Sequence, residues 1–212
     1  MSMDAENTKP VTRIQREKHE LILEAALDVF SQYGFRGSTI DQIADAAGMS
    51  KPNLLYYFKS KEDIHAPLLA RILDTWLEPL RALDENGDPL SELQSYIRRK
   101  LEMSRDFPRE SRLFANEMLR GAPGFSDVLH TDLKDLVDEK ARVIEKWMAQ
   151  GRIARCDARH LIFSIWATTQ HYADFDIQVR AVLGKERGGE TRFEDAARFL
   201  DQLFLRGLTP KK

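Results

Sequence analysis

Residues 39–61 read TIDQIADAAGMSKPNLLYYFKSK, and this stretch decides the fold. Ile40, Ile43, Ala44 and Ala47 recur at three- and four-residue spacing, which places them on one face of a helix; Leu54, Leu55 and Phe58 do the same further on. Gly48 marks the turn between the two segments. Ser38 or Thr39 can cap the first helix and Ser50 the second, and Pro52 falls in a first turn, where its missing N–H deprives no acceptor. A longer helix precedes them with Ala26, Val29 and Phe30 on its apolar stripe, and the small side chains of Ala44 and Ala47 let the helices approach closely. Two short helices joined by a tight glycine turn inside a three-helix unit form a helix-turn-helix pattern.

The same spacing leaves Ser50, Lys51, Pro52, Asn53, Tyr56 and Tyr57 toward solvent at the front of the second helix, the end that a recognition helix presents to base edges in the major groove. Asn can bond adenine through two hydrogen bonds, Lys can reach the guanine acceptors, and tyrosine hydroxyls bond phosphate. Lys61 stands at the start of the fourth helix, where its charge and the free N–H groups of the helix end together favour phosphate, and Thr39 is a further candidate DNA contact. Lys9, Arg13, Arg16, Lys18 and His19 crowd the approach to the first helix and add a basic arm. The competing reading makes the two tyrosines covers of the core edge.

Outward from this motif, 212 residues with 42% hydrophobic content leave room for a second, larger helical domain. Apolar residues at three and four spacing run through almost every long segment, so the expected fold class is all-α. Breakers divide the chain into helices at about 12–33, 39–47, 51–58, 60–83, 89–106, 109–119, 124–150, 157–182 and 191–206, the last two apolar enough to form a dimer face. Pro67 lies inside the fourth and is expected to kink it, at a cost of ~3 kcal/mol. The formal net charge of −2 announces no polyanionic partner, so the basic footprint has to be local. A lone cysteine, Cys156, allows no internal disulfide and no cysteine cluster for zinc. No secretory signal and no apolar run of membrane-spanning length is read, so a cytoplasmic protein without a membrane partner is expected.

Gly34-Phe35, Gly37-Ser38-Thr39, Ile43-Ala44, Ala47-Gly48-Met49-Ser50 and Leu54 through Glu62 resemble the N-terminal signature of the TetR family of bacterial regulators. The resemblance implies a homodimer in which helices one to three bind double-stranded DNA at a pseudo-palindromic operator. It further implies that helix four links them to a ligand-binding body and that the last two helices pair with their counterparts. On this basis residues 1–60 are the arm and DNA-binding helix-turn-helix domain, and residues 61–212 the helical ligand-binding and dimerisation domain of a ligand-released repressor. Leu55 stands where the family often has a further tyrosine, which removes one phosphate contact. Downstream, Ser111-Arg112-Leu113-Phe114, Gly121-Ala122-Pro123, Ile165-Trp166-Ala167 and Thr169 through Phe175 are similar to a pyrimidine-utilisation regulator within that family, which implies uracil or thymine as the small-molecule effector. Asn116 departs from this pattern, being polar where an apolar pocket residue is expected; a different nucleobase or an aromatic metabolite is the alternative ligand.

The residues of the larger domain also carry a reading of their own. Trp166 and Gln170 share a helix face with Phe163 and Ala167, while Trp76 lies on a stripe with Ile72, Leu73 and Leu80. An apolar cleft with few polar groups suits a small molecule; the Gln170 amide could pair with the edge of a uracil-like ring while an indole stacks on its face. Phe114, Asn116 and Tyr172 are further candidates for the lining, against the alternative that the tryptophans are simply core. No nucleophile and base converge, and His130, His160 and His171 lack metal-ligand spacing, so neither an enzyme nor a metal or cofactor is expected. A helical protein that only dimerises is the rival from another class.

Overall fold

The computed structural model describes residues 13–123, 129–189 and 191–210, so Lys9 of the basic arm and Thr12 at the expected helix start lie outside the described residues. Among those residues there are ten α-helices and no strand, as the all-α expectation requires. They form two compact units, Met1–Leu68 and Leu69–Lys212, with the division inside the fourth helix.

The first unit is built from α1 (Arg13–Gly37), α2 (Ile40–Ala46), α3 (Lys51–Tyr57) and the beginning of α4 (Lys61–Arg81). α1 is interrupted just after Tyr33, where its stop is expected. Gly34 breaks its dihedrals at φ 66°, ψ 170°, a left-handed conformation that a side chain would disfavour, and a further turn continues to Gly37. Ile22, Ala26, Leu27 and Phe30 of α1 are fully buried with Ile43 of α2, Leu54 of α3 and Ile64 and Leu68 of α4. α4 is a single helix through Pro67.

The second unit comprises the rest of α4 and α5 (Pro89–Asp106), α6 (Pro108–Leu119), α7 (Lys134–Ala149), α8 (Ala158–Asp174), α9 (Asp176–Arg187) and α10 (Arg192–Leu208). Asp88 and Asp157 cap α5 and α8, accepting from the N–H groups of Ser91 and His160. Leu93, Ile97, Ala141, Ile144, Trp147, Ile162 and Ile165 form a core with no exposed surface, in which the Trp147 indole donates to the Glu85 carbonyl at 2.9 Å.

Two expected helices differ from those observed. The one expected over 124–150 is described only from Leu129, where a π-helical turn (Leu129–Leu133) leads into α7; residues 124–128 lie outside the described residues. The helix expected over 157–182 breaks at Phe175 (φ −117°, ψ 30°) into α8 and α9. The break has a polar cause. Asp174 accepts from the Ser111 hydroxyl at 2.6 Å, while Asp176, in the first turn of α9, holds Arg180 at 2.7 Å and Arg192 at 2.9 Å. The carboxylates on either side of Phe175 are drawn to different partners, and the apolar period hides this.

Candidate DNA interface and effector site

Thr39 caps α2: its hydroxyl accepts from the Gln42 N–H at 3.2 Å while the Gln42 side chain accepts from the Thr39 N–H at 2.8 Å, a reciprocal capping box. Ser38, the other capping candidate, is buried and donates to the Gly34 carbonyl at 2.6 Å. The turn after α2 closes through bonds from Gly48 N–H to Asp45 O and from Met49 N–H to Ala44 O, both at 3.0 Å, with Gly48 at φ 64°. Leu54 of α3 is buried, as are Ile43 and Ala44 of α2, while Ser50, Lys51, Pro52, Asn53 and Tyr56 are exposed. Tyr57 is half-buried, with its ring edge-on to Tyr56 and to His19 of α1 at 5.2 and 5.6 Å.

The two lysines of the candidate interface differ. Lys51 pairs with Asp41 of α2 at 2.9 Å, and both side chains are largely exposed, so the pair can open toward an anion at little cost. Lys61 donates to the carbonyls of Phe35 at 2.6 Å and Ser38 at 2.7 Å, and its ammonium lies 4.4 Å from the centre of the Phe35 ring. It therefore ties the start of α4 to the segment after the α1 break, a role that the phosphate expectation missed. Ser60 caps α4 by accepting from the Asp63 N–H at 3.1 Å.

In the second unit the effector candidates fall into separate surroundings. Trp166 is half-buried on α8, and its indole N–H is taken by the Tyr96 hydroxyl at 2.5 Å. Burial pushes the Tyr96 hydroxyl well above the usual phenol range, with the Trp166 bond opposing. Gln170 and Tyr172 are half-buried further along α8, and burial also raises the Tyr172 hydroxyl. On α6, Phe114 is half-buried and Asn116 is exposed. Trp76 is buried on α4, 6.4 Å from the Phe107 ring.

Trp76 and Trp166 meet α5 at positions one helical turn apart, since Lys100 lies against Trp76 and Tyr96 against Trp166. Lys100 is 2% exposed, and burial lowers its amine to about 7, with Asp174 opposing the shift. The Asp174 carboxyl is itself raised by burial, with the Ser111 hydroxyl bond opposing. Neither Lys100 nor Asp174 was picked out from sequence. The available signal was the stripe Leu93, Tyr96, Ile97, Lys100, Leu101 and Ser104, which puts a lysine on the inward face of α5. Among the described residues no group of three or more His, Cys, Asp or Glu side chains could hold a metal ion, and no helix is long and apolar enough to cross a membrane.

A capped helix-turn-helix with a polar, exposed α3, followed by an all-helical body, defines a DNA-binding regulator. Residues 22–66 match the bacterial regulatory proteins of the tetR family, and residues 69–211 match the C-terminal region of YcdC-like proteins. The chain belongs to the TetR family and is a transcriptional regulator rather than an enzyme. It is 50% identical over 200 residues to the HTH-type transcriptional regulator RutR of Escherichia coli K12, across 94% of each chain. Its fold is shared with the ketosteroid transcriptional regulator KstR2 of Mycobacterium tuberculosis (TM-score 0.73, 24% identity, 92% of this chain and 96% of that one). It is shared as well with AibR in complex with isovaleryl coenzyme A and operator DNA (TM-score 0.69, 19% identity, 89% and 98%).

Proposed function

We propose that the chain acts in the cytoplasm as a homodimeric repressor that a pyrimidine, uracil or thymine, releases from a pseudo-palindromic operator. The observation that carries this reading is the extent of the likeness to RutR: the 200 aligned residues take in the effector body as well as the DNA-binding unit. In this reading Ser50, Lys51, Pro52, Asn53, Tyr56 and Tyr57 contact the operator, with Thr39 and Lys61 at the neighbouring helix starts. Trp76, Phe114, Asn116, Trp166, Gln170 and Tyr172 line the effector site. Dimerisation uses the outer faces of α8 and α10, where Phe163, Phe199 and Leu203 are about half exposed, at 47%, 58% and 50%, although they are large and apolar.

Release requires that the effector bind more tightly to the form with the wrong spacing of recognition helices than to the DNA-bound form. Fluorescence anisotropy at fixed salt tests this on a site selected from random double-stranded DNA. A coupling of 1–3 kcal/mol corresponds to roughly 5–150-fold weaker DNA binding at saturating uracil. Unchanged affinity at saturating uracil and thymine overturns the pyrimidine reading.

A further inference from the structure

The second unit buries polar groups with very different degrees of satisfaction. Lys140, 8% exposed, donates to the Leu83 carbonyl at 3.2 Å and pairs with Glu139 at 3.1 Å. Lys100 is more deeply buried, yet the acceptor described for its three ammonium hydrogens is the Trp76 carbonyl at 3.5 Å, the outer limit of a hydrogen bond, alongside the Trp76 ring face at 5.2 Å. The tryptophans show the same contrast. Trp147 and Trp166 both place their indole N–H on an oxygen, whereas the Trp76 indole nitrogen is buried with no partner. At the end of α8 the Asp174 carboxylate accepts from Ser111 and lies within electrostatic reach of Lys100. Two under-used donors, on the neighbouring Trp76 of α4 and Lys100 of α5, and an acceptor on α8 that Lys100 senses electrostatically thus belong to one part of the second unit.

Such an arrangement is costly in a core unless something completes it, because an unsatisfied buried donor loses its hydration without compensation. We propose that Lys100, Trp76 and Asp174 are the polar contacts of the effector site and that they read a planar imide. A ring carbonyl oxygen accepts from Lys100 Nζ and Trp76 Nε1, and the adjacent ring N–H donates to the Asp174 carboxylate. The inference rests on the pyrimidine reading and deepens it, since uracil and thymine share this edge. Ser111 holds Asp174 in place as a positioning residue.

Calorimetric titration of the full chain with uracil tests the proposal through Lys100→Met and Trp76→Phe, which keep volume and remove one donor each. Loss of a hydrogen bond to a charged group corresponds to roughly 10–150-fold weaker binding for Lys100→Met, and loss of a neutral one to roughly 2–10-fold for Trp76→Phe. The ligand 1,3-dimethyluracil, which keeps both carbonyls but has no N–H for Asp174, should not bind the unaltered chain. If Lys100→Met does not fold, Trp76→Phe and the dimethylated ligand decide the matter. Uracil binding within about twofold of normal in both variants overturns these contacts and leaves the pyrimidine reading standing. Absence of uracil binding to the unaltered chain overturns both.

Discussion

The two compact units bury helix faces in the same way but differ in what they bury. In the first, the fully enclosed positions are apolar, from Ile22 and Phe30 to Leu54 and Leu68, and the enclosed hydroxyl of Ser38 is bonded. His65 is buried there as well, packed between Phe30 and Phe35 at ring distances of 5.0 and 4.4 Å. In the second, a single helix, α5, turns Lys100 and Ser104 inward among Leu93, Ile97 and Leu101. A DNA-reading helix has to be held rigidly, and an apolar core with closed caps does that. In the proposed reading, a body that responds to a ligand keeps polar groups inside that are better satisfied with the ligand than without it.

The largest expected effect on this contrast comes from Phe30→Ala. Removing a fully enclosed ring should cost ~3–5 kcal/mol in urea unfolding and abolish DNA binding at 37 °C. Next is Lys61→Met, which removes two short bonds to carbonyls and should cost about 2 kcal/mol; a variant as stable as the parent would return Lys61 to a purely phosphate-binding role.

Lys100→Met should act with the opposite sign and stabilise the unliganded protein. The folded-state amine titrates at about 7, below the ordinary lysine value of ~10.4, with Asp174 the charged group described as facing it. Between these two values the unfolded chain carries a proton that the folded chain lacks, so stability from this group rises with pH across that window and is flat below it. The advantage of the methionine variant in thermal melts should therefore be greatest at or below pH 7 and fade toward pH 10; a variant that melts lower at pH 6 would show that Lys100 is structural.

The smallest effect on stability belongs to Lys51→Ala. It breaks an exposed pair worth ~0–1 kcal/mol, yet it should weaken binding to all DNA sequences and lower the salt slope by about one.

The first unit was legible in sequence because its determinants are local: Thr39 with Gln42, Gly48, and Pro52 in a first turn all act within a few residues. What escaped was the structural role of Lys61, whose partners at Phe35 and Ser38 lie more than twenty residues earlier, at separations of 26 and 23. The second unit was less legible for the same reason. The tryptophans advertise themselves by residue type, but that Trp166 is satisfied by Tyr96 while Trp76 is not depends on contacts between helices distant in the chain. In Arg98-Arg99-Lys100 the third basic residue reads as part of a solvated run, although its register with Tyr96 and Ser104 turns it inward. The division of the expected 157–182 helix at Phe175 likewise follows from Ser111 and Arg192, which no helical period records.

Selection of double-stranded DNA from a random pool by the full chain, at fixed salt, tests most directly whether α3 is a recognition helix presented in two copies. The expected outcome is a two-fold-symmetric site with half-site centres about 34–36 Å apart, or a multiple of that, whose base preference relaxes by ~1–3 kcal/mol in Asn53→Ala. A pool that yields no enriched sequence, or an enriched site without two-fold symmetry, would contradict it.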